Sequence, residues 1–272
     1  MLIRIGYDIG FSVTQPTPMV LMLNVRPERE PDLLRPDLIH ANPSLPITQY
    51  FDLYGNRCSR LVAPAGEVSF STETIIKDSG EPDLWTPGAE QIPVERLPAE
   101  TLIYLLGSRY CETEKLLTTA WAEFGAIPNG WDRVMAILQY VHNRISFGYE
   151  NARATRTAYE AWQEGVGVCR DFAHLAVTLC RCMNIPARYC TGYLGDIGVP
   201  VNPAPMDFSG WFQAYLGGQW LTFDARHVEP RIGRILIGMG RDAADVAIST
   251  VFGPNVLSKF QVVTEEEVRA AA

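Results

Sequence analysis

Histidine is scarce in this chain: His40, His142, His174 and His227 are the four among 272 residues. That scarcity narrows the available chemistry, because imidazole is the commonest transition-metal ligand and the usual proton acceptor near neutral pH. There is no Cys-x-x-Cys and no His-x-x-x-His, so zinc-site spacing is missing. No carboxylate-rich loop has the spacing of a calcium site either, and no cofactor or metal is expected. Basic residues are also outnumbered, with Lys+Arg 23 against Asp+Glu 31 and a net charge of -8. An acidic chain lacks the clustered cations that release counterions from nucleic acid, so no nucleic-acid partner is expected. No apolar run reaches the roughly 20 residues of a membrane helix, and Met19–Leu23 is far too short, so no membrane partner is expected. The six cysteines are too sparse for a disulfide framework. The N-terminus alternates in strand fashion and lacks a secretory apolar region, so the expected location is cytoplasmic.

What is present divides the chain in two. Residues 1–95 read as an antiparallel β-sandwich. Ile3, Ile5 and Tyr7 alternate with polar or small residues, as do Val68, Phe70 and Thr72, the period of a half-buried strand. Met19–Val25 is a continuous apolar run, as in a strand buried on both faces. Tyr54-Gly55-Asn56-Arg57 is a turn signal after Phe51 and Leu53. Beyond a linker at Pro93–Pro98 the period becomes helical. Leu102, Leu105 and Leu106 recur at that spacing, as do Leu117, Ala120, Trp121 and Phe124. Trp131, Val134, Met135, Leu138, Val141 and His142 make an amphipathic helix, with Asn129 as its N-cap. A shorter helix is expected over residues 157–164. Helices followed by strands give an α+β domain over residues 99–264, with 265–272 as a solvated tail.

The most informative segment is Gly165-Val-Gly-Val-Cys169-Arg-Asp-Phe. Phe172, Leu175, Ala176 and Leu179 recur at helical spacing, so a helix opens at Cys169 and runs to about Met183, where Asn184-Ile185-Pro186 stops it. A thiol at a helix N-terminus feels the positive end of the dipole, which favours the thiolate. Unpaired N–H groups there can also hold an oxyanion. The bland alternative is that Cys169 is a small buried hydrophobe, the usual state of a free cysteine and the reading given to the other five. Cys180 and Cys182 diverge by about 200° around a helix and cannot share a metal.

Downstream, residues 207–216 and 219–227 hold two aromatic-rich strands around Gly217-Gly218, a hairpin signal. Pairing Leu216 with Gln219 sets Trp211 opposite Asp224 and Ser209 opposite Arg226. Those four side chains then share a face, and His227 falls on the other unless the strand bends. The blocks Gly167-Val-Cys-Arg-Asp-Phe-Ala-His-Leu, Asn184-Ile-Pro-Ala-Arg-Tyr-Cys-Thr-Gly-Tyr, Asp207-Phe-Ser-Gly-Trp-Phe-Gln-Ala-Tyr-Leu and Trp220-Leu-Thr-Phe-Asp-Ala-Arg-His resemble the bacterial transglutaminase-like family. Its members are described as cysteine proteases, and an N-terminal β domain often precedes their core. The resemblance covers residues 155–230. It implies a papain-like α+β core with a Cys-His-Asp triad, in which Cys169 matches the nucleophile and Asp224 the acid. Ser209 stands where the family has its histidine, in a pattern that reads Asp-Phe-His-Ala-Trp. A hydroxyl cannot accept a proton near neutral pH, and losing a general base costs about 10²–10⁴ in rate.

Among the histidines, His174 points about 140° away from Cys169 around the helix, as a packing residue would. His142 ends an amphipathic helix and suits a partly buried structural role, and His40 lies in the β domain. His227 is the candidate substitute base, against a structural role at the strand end. Arg226 is a candidate cation for the thiolate. Asp171 is explained by the helix dipole, and Trp211 and Trp220 by the core. The resemblance implies attack of Cys169 on an amide of a peptide or protein substrate, with hydrolysis favoured over crosslinking. The alternatives are an inactive family member that binds peptide or protein partners in the cleft, and a structural scaffold.

Overall fold

A computed structural model describes residues 1–128 and 130–267. Its N-terminal half is a pair of antiparallel four-stranded sheets. Six of their eight strands are β1 (Leu2–Val13), β2 (Thr17–Leu21), β3 (His40–Asn42), β4 (Thr48–Phe51), β5 (Arg57–Ala63) and β6 (Gly66–Lys77), and the other two come from the C-terminal segment. Ile3, Ile5, Tyr7, Ile9, Phe11 and Val13 of β1 all point into the space between the sheets, so the alternation read in the first residues runs the whole strand. Met19, Leu21, Leu61, Val68 and Phe70 meet them there.

The apolar run at Met19–Val25 departs from expectation. It stays in a strand only to Leu21, and one face of β2 is open at Pro18. Met22, Leu23 and Val25 are buried as a connection, packed in one cluster with Tyr189, Ile235 and Ile237 of the second half. The run is apolar throughout because it passes beneath another sheet.

The second half begins with α1 (Thr113–Phe124), α2 (Trp131–Arg144), the two-residue strand β7 (Ser146–Phe147), α3 (Ala158–Glu164), its parallel partner β8 (Val166–Gly167) and α4 (Cys169–Cys182). Then come β9 (Ala187–Tyr193), β10 (Ser209–Leu216), β11 (Gln219–Phe223), β12 (Ile235–Gly240), β13 (Ser249–Val251) and β14 (Asn255–Glu266). The sheet order β11-β10-β9-β12 puts β9 and β10 at its centre. Helix α4 lies against them, and every residue from Asp171 to Cys182 is buried. The result is the mixed α/β architecture, with antiparallel sheets, that the pattern predicts.

Several expectations shift. Leu102 and Leu105 lie in a 3-10 helix (Ala99–Leu105) rather than an α-helix. In α1 the buried face is Leu116, Ala120 and Phe124, while Leu117 and Trp121 face outward. The cap of α2 is Gly130, and Asn129 lies outside the described residues. Residues 83–91, upstream of the expected linker, already bind the second half: Trp131 N–H donates to Ala89, and Gly217 N–H to Glu90. The C-terminal segment returns to the sandwich. β13 pairs with β2, and β14 pairs with β1 along its length. Glu265 and Glu266, expected in the tail, therefore sit opposite Arg4 and Ile3. The free edges of β1 and β2 require partners, and sequence-distant strands supply them.

The start of α4 is pinned by one carboxylate. Asp171 accepts the Val168 N–H at 2.9 Å and is held by Arg156 at 3.1 Å and Arg170 at 3.3 Å. The glycines before it have separate uses. Gly165 ends α3 in the left-handed conformation, at φ 68°. Gly167 lets the loop press on the helix, because a Cβ there would stand 2.7 Å from the Asp171 Cβ. Gly167→Ala is expected to cost about 1–3 kcal/mol, since the clamped Asp171 cannot move aside. A urea midpoint equal to that of the parent would contradict this packing.

Candidate active site

Cys169 opens α4 at the meeting point of two cavities. One, of about 300 Å³, is polar and is lined by Asp196, Ser209, Arg226, His227, Glu229 and Arg231 among others. The second, of about 490 Å³, is more apolar and reaches Val246, Ile248 and Phe260. Cys169, Asp207 and Phe208 line both, so the cleft passes across the thiol. The Gly210 N–H acts to lower the thiol. Gly210 has room for no side chain, since a Cβ there would lie 2.6 Å from the Tyr189 hydroxyl.

The thiol is not activated in this resting arrangement. Burial pushes it up to about 11, and the Asp207 charge adds to that. The Gly210 N–H and Arg226 act in the opposite direction.

The hairpin has the expected register, from Leu216 opposite Gln219 to Phe212 opposite Phe223. It stops there, so the strand pairs Trp211–Asp224 and Ser209–Arg226 do not form. The chain turns at Asp224 instead. Its Oδ1 accepts the Arg226 N–H at 2.9 Å and the His227 N–H at 3.4 Å, and Val228 N–H closes the turn on the Asp224 carbonyl at 2.7 Å. This Asx-type turn carries Arg226 and His227 into the cavity that also holds Ser209. The strand bends after Asp224, the condition under which His227 leaves the opposite face.

Asp224 has a partner the sequence did not disclose. Arg234 donates to its Oδ2 at 3.0 Å and to Asp83 at 2.7 Å, and lies over the Trp211 ring. Burial acts to raise the Asp224 carboxyl, but the charge of Arg234, followed by that of His227 and the hydrogen bonds, holds it below the usual range. Thus the Arg234 guanidinium is the main counter-charge of Asp224, with His227 second. Arg234 lies ten positions after Asp224, with Asp83 far upstream, and no periodicity links the three. Ser209 is buried, and its Oγ has no hydrogen-bond partner among the described residues.

His227 is half-buried in the polar cavity. Burial pushes its ring down to about 4, and Arg231, Arg226 and Arg234 act in the same direction, while Asp224 opposes them. The ring is therefore neutral at physiological pH. His174 is a packed residue, as expected: it is fully buried, stacked on Tyr110, and its Nε2 accepts the Ala243 N–H at 3.0 Å. His142 is exposed rather than half-buried, yet its Nδ1 lies 3.0 Å from the Arg226 carbonyl and so braces the turn after Asp224. Arg226 rests on the Phe147 ring at 3.6 Å, which keeps its charge beside the cleft. Trp211 is buried as expected, and Trp220 is half-buried against Arg188.

Comparison with known proteins places these features among relatives. Residues 116–225 match the family model of the transglutaminase-like superfamily. The whole chain superposes on 92% of the crystal structure of a "Putative Cysteine Protease from Cytophaga hutchinsonii", with a TM-score of 0.84 and 30% identity. A mycobacterial protein described as "Uncharacterized protein ML0607", from Mycobacterium leprae, is 24% identical over 231 residues, covering 77% of each chain.

Replacing Arg234 by Met leaves Asp224 buried without its cation, and a loss of about 3–5 kcal/mol is expected in urea unfolding. Adding Asp224→Asn to that variant should recover part of the loss; strictly additive effects would mean the two groups do not interact. For His227 the folded ring, at about 4 against an ordinary 6.5, refuses a proton that the unfolded chain accepts. Stability contributed by the neutral ring is present above the unfolded value and is lost as pH falls from about 6.5 to 4. The thermal midpoint of His227→Asn should depend less on pH across that window, and an unaltered slope would refute the assignment.

Proposed function

The chain belongs to the transglutaminase-like superfamily, and on that premise we propose that it performs thiol-dependent chemistry on an amide or peptide bond. Cys169 is the attacking group. The observation that carries this reading is the position of that thiol, at the first residue of α4 and on the boundary of two cavities that continue past it on either side. An extended chain lying across the boundary presents a carbonyl to the sulfur. The Cys169 N–H, without an intrahelical acceptor at this position, faces the developing oxyanion. Charged and polar residues line the smaller cavity, which favours water over an amine as the second acceptor. The substrate class is peptide or protein. The described cysteines are free thiols, which fits a reducing compartment, and we assign the chain to the cytoplasm. No helix among the described residues is long and apolar enough to cross a membrane.

A second reading, a cleft that binds peptide or protein without turnover, draws on one observation. Asp224 is engaged by Arg234 and two backbone N–H groups, and among the described residues no imidazole nitrogen forms a hydrogen bond with its carboxylate. The two readings separate with fluorescently labelled casein. Cleavage by the parent chain and its loss to background in Cys169→Ala support the thiol reading. Binding with no cleavage, or cleavage that survives in Cys169→Ala, supports the second reading or excludes the first.

A further inference from the structure

We infer that Asp207 is the proton carrier of this centre and does the work of the imidazole that Ser209 replaces; this deepens the thiol reading above and rests on it. The placement of Asp207 carries the inference. It lies just before β10 and lines both cavities together with Cys169. Among the charged groups around the thiol, its carboxylate acts on the sulfur most strongly. Its other neighbours are the Phe208 N–H, the Arg226 guanidinium and the Tyr149 hydroxyl. Burial raises the Asp207 carboxyl from the ordinary carboxylate range, toward the value at which a group can take up and return a proton.

The other carboxylates and the imidazole near the cleft are paired, set among cations or exposed, and burial raises the Tyr149 and Tyr189 hydroxyls, which stay protonated. Asp224 is paired with Arg234 at 3.0 Å. Asp196 accepts the Asn202 N–H at 2.7 Å and faces Arg231 at 3.8 Å. Arg170 is tied to Asp171, and Arg153 to Glu160 and Glu164. His227 sits among Arg226, Arg231 and Arg234, whose charges oppose its taking a second proton. Glu229 is exposed at the rim of the polar cavity.

The steps balance. As the Cys169 sulfur bonds to the substrate carbonyl carbon, the thiol proton passes to the Asp207 carboxylate and the carbonyl π pair moves onto oxygen. The oxyanion then re-forms the carbonyl and the C–N bond breaks. The departing nitrogen takes the proton from Asp207, leaving an acyl thioester on Cys169. In the second half Asp207 takes a proton from water as that oxygen bonds to the thioester carbon. The C–S bond breaks, the acid leaves, and the proton returns to sulfur. Arg226, beside both groups, limits the repulsion between the carboxylate and developing negative charge at the thiol.

The test uses p-nitrophenyl acetate, whose leaving group departs without a proton, so that in the first half Asp207 has only the thiol proton to accept, from a sulfur that the Asn variant leaves easier to ionise, and slowed deacetylation reports the second half. The parent chain is expected to release a burst of p-nitrophenol equal to the enzyme, followed by steady turnover. Asp207→Asn should keep the burst but turn over on the order of 10²-fold more slowly, with acetyl-Cys169 accumulating in mass spectra. Its Cys169 should also react faster with iodoacetamide at neutral pH, because a charge that raises the thiol has been removed. A merely electrostatic or structural role predicts the faster alkylation without the slowed deacetylation. Asp207→Glu, which keeps the carboxylate, should recover part of the turnover. Deacetylation at the parent rate in Asp207→Asn overturns the role of Asp207 alone. A parent chain without a burst, or a burst that survives Cys169→Ala, overturns the thiol reading itself and this role with it.

Discussion

The buried ion pair of Arg234 with Asp224, extended to Asp83, is the interaction on which the arrangement of the cleft depends. It ties the end of β11 to the segment before β12 and to the chain that leaves the sandwich. A carboxylate at that depth would be costly without a cation and hydrogen bonds on its remaining lone pairs. Arg234 and the Arg226 and His227 N–H groups supply them. In satisfying Asp224 they also force the chain to turn after Phe223, and the turn fixes where Arg226 and His227 stand. The same interactions occupy both carboxylate oxygens of Asp224.

Around that fixed point the cleft separates its tasks. The α4 start is held by Asp171 and its two arginines, so the sulfur has a set position without relying on a catalytic partner. Gly210 supplies an N–H that acts to lower the thiol and admits Tyr189 behind it. The charge closest in effect to the thiol is the Asp207 carboxylate, with Arg226 as its counterweight. A carboxylate beside a thiol keeps the thiol protonated at rest, and it also gives the proton a place to go when a carbonyl is attacked. A resting ion pair is therefore not required for transfer in the transition state.

Much of this was legible from local pattern. The inward alternation of β1, the α4 start at Cys169, the short helix near residues 157–164 and the Leu216–Gln219 register all follow from rules that act over a few residues. The stated failures share a cause. Leu117 and Trp121 look like members of an apolar face, but that face is chosen by where α4 lies. Met19–Val25 looks like a doubly buried strand because it is apolar throughout, yet its last residues are covered by a sheet formed far downstream. Residues 249–264 follow the core in the chain and read as part of it, whereas the hydrogen-bond partners of β13 and β14 lie at the N-terminus.

For the site the division is sharper. From the sequence alone come the β pattern followed by an α+β pattern and the start of a helix at Cys169, because each is carried by residue type and short-range spacing, while the matches of Asp224 to a triad acid and of Ser209 to a histidine position are what the family resemblance implies. The tertiary structure decided that Asp224 answers to Arg234, that the strand ends in time to bring His227 round, that the thiol is raised rather than lowered, and that Asp207 stands beside it. Those outcomes depend on burial and on charges brought together from residues 83, 169, 207, 224 and 234. Electrostatic work in a desolvated cleft is a function of distance in space, which separation along the chain does not encode.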